Sequence, residues 1–187
     1  MPSLPVRYRR MRDGDTIRMG GRSWRTIVGF GHAPEHMALY CEESGVLISG
    51  DMVLPRISTN VSVFDHEPDA DPLKLYLQSL ESYQPLPEDT LVLPSHGEPF
   101  YGVTLRLEAL MRGHEVALKR LEKTLRTPCR AVDVFGALFA RPVGDAVLGM
   151  ATGEALAHLN YLERQGRVRR VRDGDGVDWW SLSETGQ

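Results

Sequence analysis

Three short stretches, far apart in the chain, most constrain what this sequence can fold into: Gly-His-Ala-Pro-Glu-His at 31–36, Leu-Ile-Ser-Gly-Asp at 47–51 and Leu-Pro-Ser-His-Gly-Glu-Pro at 93–99. Each closes or follows an apolar, strand-like run, so His32, Asp51 and His96 all fall at strand exits. Residues so distant meet only where a sheet gathers its strand ends along one rim. Imidazole and carboxylate together are a donor set for divalent zinc or iron, which makes that rim a candidate metal site. The same spacing excludes a local zinc finger. Cys41 and Cys129 form no Cys-x-x-Cys pair either, and read as reduced, semi-buried thiols rather than a disulfide framework.

Hydrophobic periodicity supplies the sheet. Residues 15–30 read as two strands about Gly20-Gly21, and 37–51 repeat the pattern about Ser44-Gly45. Leu73, Leu77 and Leu80 stand at helical spacing over 71–86, with Pro85 and Pro87 as the stop. Residues 89–97 then form a buried-type strand that delivers His96. From Tyr101 the pattern becomes helical: a long amphipathic helix over 103–125, a second over 129–142 ended by Pro142, and a third over 145–166 capped by Gly166. A hairpin over 167–182 turns about Asp-Gly-Asp-Gly. Helix, helix, helix, hairpin is the order of a winged helix-turn-helix. The expectation is an α/β unit over 1–102 and a connecting helix with a winged-helix unit over 103–187.

Charge follows the same division. The first hundred residues carry an acidic excess and the remainder a slight basic one, too slight to announce nucleic-acid binding. With 42% hydrophobic and 25% charged residues the chain reads as globular, and no apolar run approaches a membrane span. The basic start lacks a following apolar segment, so no signal peptide and a cytoplasmic location are expected.

The three motifs, in this order and followed by a winged helix, resemble the metallo-β-lactamase fold superfamily, in particular its glyoxalase II-like and lactamase-like hydrolases. The resemblance implies the carboxy-terminal half of an αββα sandwich. By it, His32 ligates one metal ion, His96 the other, Asp51 bridges them, and His36 takes a supporting position rather than a ligand's. It also implies two zinc ions and metal-activated water attacking a thioester, a lactam or lactone, or a phosphodiester. Asp51 is then the residue on which catalysis depends.

One family element is missing. The opening motif His-x-His-x-Asp-His, which supplies most ligands, does not occur, because the six histidines stand at 32, 36, 66, 96, 114 and 158. The chain is therefore expected to be a carboxy-terminal part, holding zinc weakly or not at all and impaired as an enzyme. It is expected to associate with itself or with the missing amino-terminal half. Phe64 to Pro72 alternates carboxylates like a calcium loop, but Ala70 and Tyr76 stand where glycine and glutamate are required, so a solvated acidic loop is the reading. Residues 54–63 follow Asp51, and Arg56 and Asn60 are the candidates for a substrate-facing loop.

A nucleic-acid-binding winged-helix module is the alternative. The third helix argues against it, since Glu154, His158, Asn160 and Glu163 lie off its apolar stripe with Arg164 as its basic residue. Acidic groups there repel phosphates. The hairpin is more basic, with Arg167, Arg169, Arg170 and Arg172, which leaves backbone contact by a wing as the test. A small-molecule ester or thioester is expected as substrate in preference to RNA.

Overall fold

Strands β1 (Thr16–Met19), β2 (Arg22–Gly29), β3 (His36–Cys41), β4 (Val46–Gly50) and β5 (Leu91–Pro94) lie side by side in sequence order in a single sheet. The structure is a computed structural model and describes residues 8–183. β1 to β4 run antiparallel through short reversals, including the two expected at Gly20-Gly21 and about Ser44-Gly45. β5 returns parallel to β4, as it can only after a crossover, which here contains α1 (Pro72–Glu81). Asp71 starts that helix by accepting from the Lys74 N–H at 3.2 Å, with Pro72 in the first turn, where its missing N–H costs nothing. Leu73, Tyr76 and Leu80 point from it into the core.

The two faces of the sheet differ. Ile27, Ala38, Tyr40, Leu47 and Val92 alternate onto one face and are buried under α1 and the helices that follow. On the other face Leu39 pairs with Ile48 and Ile48 with Leu93, while Val28 pairs with Met37. These five side chains are apolar and none is fully buried; Met37 is 39% exposed.

α2 (Val103–Thr124) is the long helix the periodicity predicts, burying Leu107, Leu110, His114, Leu118 and Leu121. The helix expected over 129–142 is not formed: a 3-10 turn, Ala131–Val134, runs into a single α-helical turn, α3 (Phe135–Leu138), and Phe139 is extended. Arg130 holds that tight turn by donating from its backbone and side chain to Asp133, each at 2.9 Å. Gly136 lowers helix propensity, and Pro142 disfavours helical backbone at Arg141. α4 (Leu148–Arg164) follows, and the hairpin of β6 (Val168–Arg172) and β7 (Asp178–Leu182) closes against Cys129, whose backbone exchanges two hydrogen bonds with Trp180.

A continuous core runs from the sheet through α1 and α2 to α4 and the hairpin, joining Ile27 and Leu47 to Leu107, Leu159 and Trp180. The expectation that His158 and Asn160 lie on an open face of α4 is corrected here. Both are buried, because α4 lays that side on residues 60–70: Asn160 donates to the carbonyls of Pro68 and Ala70, both at 2.9 Å, and Arg164 to that of Asp69 at 2.7 Å. Among the described residues no helix is long and apolar enough to cross a membrane.

Candidate metal centre

Three strand exits meet at one rim of the sheet. After β2 the chain passes Gly31, whose φ is +95° and whose β-carbon would stand 2.4 Å from the Pro72 carbonyl; only glycine lets this loop rest on the first turn of α1. His32 follows directly. At the end of β4 the pairing with β5 becomes irregular between Ile48 and Gly50, which turns the chain to present Asp51. β5 ends in Pro94 and delivers Ser95 and His96.

The rim has a definite geometry. His32 Nε2 lies 3.4 Å from Asp51 Oδ2, and His96 Nε2 lies 3.4 Å from Asp51 Oδ1. One carboxylate thus faces two imidazoles, each with a different oxygen. His32 and Asp51 are sunk into the rim, with side chains 26% and 30% exposed, while His96 is 66% exposed. The His32 Nδ1 stands 2.8 Å from the Asn60 carbonyl. A carbonyl only accepts, so Nδ1 carries the proton and Nε2 keeps a lone pair facing Asp51.

His36 is committed differently: its Nε2 accepts the Asp51 backbone N–H at 3.2 Å and is not open to a metal ion. Its imidazole is held below the usual value first by burial and then by His32, with Asp51 opposing. Burial pushes the Asp51 carboxyl up, but the Ser95 hydroxyl donating to Oδ1 and the three imidazoles outweigh it, leaving the carboxyl below the usual carboxylate range. Thr59 donates its hydroxyl to the Asp51 carbonyl. Ser95 and Thr59 were not singled out by the sequence; Ser95 sits inside the third motif, next to His96, and that adjacency was the available signal.

Arg56 and Asn60 part company. Arg56 lines an open cavity of about 230 Å³ with Ser58, Arg106, His114, Glu154 and His158. Asn60 faces inward, donating to Glu154 Oε2 at 3.1 Å and accepting from the Ser62 hydroxyl at 2.8 Å. Glu154 is largely buried, which raises its carboxyl, with the Asn60 contact opposing.

Among the described residues no three His, Cys, Asp or Glu side chains converge as a closed metal cage. The donors fit a bridged pair instead: His32 with one Asp51 oxygen, His96 with the other, two protein donors for each ion. Four is the usual number for zinc, so each half-site is incomplete in this arrangement.

A five-stranded mixed sheet with its metal donors at the strand exits and helices on one face is the architecture of one half of an α/β metallo-hydrolase. The chain belongs to the metallo-beta-lactamase superfamily, whose family model matches residues 2–96, while the model of the metallo-beta-lactamase-like C-terminal domain matches residues 118–183. A solved beta-lactamase domain protein from Burkholderia ambifaria is 49% identical, with a TM-score of 0.92 over 97% of this chain and 54% of that one. Two curated relatives are more distant. "Probable metallo-hydrolase YqjP" of Bacillus subtilis (strain 168) is 28% identical over 163 residues, covering 84% of this chain and 50% of that protein. "Hydroxyacylglutathione hydrolase" of Cereibacter sphaeroides is 25% identical over 177 residues, covering 91% of this chain and 66% of that protein. The chain spans about half the length of the Burkholderia and Bacillus proteins.

Proposed function

We propose that this chain is one part of a metal-dependent hydrolase in which Asp51 bridges two zinc ions, His32 ligates one and His96 the other. The observation that carries the reading is the Asp51 carboxylate facing a different imidazole with each oxygen. Bound there, a pair of divalent ions supplies Lewis acidity and activates water for attack on an acyl or phosphoryl group. The residues of this chain do the positioning. The Asn60 carbonyl fixes the His32 ring, His36 holds the Asp51 backbone, and Ser95 orients Asp51 Oδ1. The preferred substrate is a small ester or thioester, because the Cereibacter relative is named for a hydroxyacyl thioester of glutathione and Arg56 with Arg106 can receive an anionic group beside the rim. Residues 1–102 form the hydrolase part and 103–187 a winged-helix unit in an accessory, packing role. The remaining metal ligands come from outside this set of donors, so the chain alone binds zinc weakly.

Calorimetric titration with zinc tests this. Weak binding in the wild-type chain, lost in Asp51→Ala and reduced in His32→Ala and His96→Ala, is the expected pattern. Tight stoichiometric zinc after dialysis against a chelator, or binding indifferent to Asp51→Ala, overturns it. With the remaining ligands supplied, hydrolysis of an acyl-glutathione thioester should depend on Asp51.

A further inference from the structure

We infer that Glu154, on α4 of the carboxy-terminal part, is a positioning residue for the metal centre, acting through Asn60 to hold His32 in the tautomer whose Nε2 is free. The inference rests on the proposed role of His32 as a ligand. A neutral imidazole presents one lone pair, and which nitrogen carries it is set by the hydrogen bond the other makes. For His32 that bond is the one from Nδ1 to the Asn60 carbonyl, 2.8 Å long. It directs Nε2 at Asp51 only while the Asn60 backbone stays where it is.

Little within the amino-terminal part fixes that backbone. Asn60 lies in the irregular segment between β4 and α1, outside every helix and strand. Its restraints come from α4. Glu154 Oε2 accepts from the Asn60 side-chain N–H at 3.1 Å, the Ser62 hydroxyl reaches Asn60 Oδ1 at 2.8 Å and the Met150 carbonyl at 3.4 Å, and the Val63 N–H donates to the Gly153 carbonyl at 3.0 Å. Gly153 permits this approach, since a β-carbon there would stand 2.8 Å from the Val63 carbonyl. The first turns of α4 therefore clamp the segment that clamps His32. Docking of the carboxy-terminal part and readiness of the metal centre become one event.

The test uses the chain itself. Long-range ¹⁵N–¹H correlation spectra of the histidine rings, taken with His32 neutral and no metal added, report which nitrogen carries the proton. Wild type should show His32 as the Nδ1–H form. Glu154→Ala should show a mixture of both forms, and Glu154→Gln, which keeps an acceptor for Asn60, should restore the single form. Zinc affinity should fall roughly ten- to a hundredfold in Glu154→Ala and recover in Glu154→Gln. Should Glu154→Ala fail to fold, Ser62→Ala, which removes the other side-chain restraint on Asn60, gives the same reading with a partial shift. A single Nδ1–H form in folded Glu154→Ala and Ser62→Ala alike overturns the inference. Failure of the metal reading looks different: zinc then leaves the His32 Nε2 resonance of the wild type unmoved, whatever the tautomer results.

Discussion

Gly50 lies directly against the imidazole of His36: its φ is +54°, and a β-carbon built on it would stand 2.5 Å from His36 Nε2. The close approach is what allows the next N–H, that of Asp51, to donate to the same nitrogen. Gly50→Ala should therefore carry both the left-handed backbone cost and a clash, together about 2–3 kcal/mol. Gly45 offers the control, with φ +60° and nothing within 4 Å of its β-carbon position. Gly45→Ala should cost about 1 kcal/mol, the backbone part alone. Urea denaturation of the two variants measures the difference, and equal losses would show that His36 does not need the space.

A pH effect follows from the buried histidine pair. His158 Nδ1 donates to the Glu154 carbonyl at 2.8 Å, so its Nε2 accepts from His114 Nδ1 at 3.2 Å. Burial, and then His158, push the His114 imidazole down to about 4. An unfolded histidine takes a proton near 6.5, so on acidification from there toward 4 the unfolded state gains protons that folded His114 refuses, and stability falls. Glu154, raised by burial, gives an opposite slope, so the comparison between wild type and His114→Gln isolates the histidine. Relative to wild type, the variant should gain on the order of 1–3 kcal/mol between pH 7 and pH 4. Parallel stability curves for the two proteins would refute this.

Duplex DNA or RNA should not bind through the hairpin. Arg167 pairs with Glu122 at 2.7 Å, Arg172 with Asp178 at 2.7 Å, and Arg170 with Asp69 at 2.7 Å and Glu163 at 3.4 Å. Their charge is spent within the fold, and the polar side of α4 is spent on residues 60–70. Fluorescence anisotropy should show no binding that strengthens steeply as salt is lowered. Such binding, abolished by Arg167→Ala and Arg170→Ala together, would restore the nucleic-acid reading.

The half-exposed sheet face bearing Met37, Leu39, Ile48 and Leu93 should drive association. Sedimentation velocity across the micromolar range should show mass increasing with concentration. Ile48→Glu, at the centre of that face, should shift the population toward monomer without unfolding it. A wild-type chain that stays monomeric throughout would count against an interface there.

Much of this molecule is legible in its sequence because periodicity reports which side of an element is covered. The alternation in 15–51 and 89–97 gives the strands, the leucine spacing gives α1 and α2, and the strand-exit positions of His32, Asp51 and His96 follow from where those strands end. Two things were decided only by the tertiary structure. The segment 129–142 has apolar residues enough for a helix, yet Asp133 bonded back to Arg130 and Pro142 beyond it leave a tight turn and a single α-helical turn. On α4, Glu154, His158 and Asn160 read as a solvent face because they are polar, and pattern cannot distinguish polar groups facing water from polar groups facing other polar groups. Their partners Asn60, His114 and Pro68 lie 94, 44 and 92 residues away in the chain. A buried hydrogen bond needs its donor and acceptor within about 3 Å, and only the packing of α4 against the 60–70 segment brings them that close.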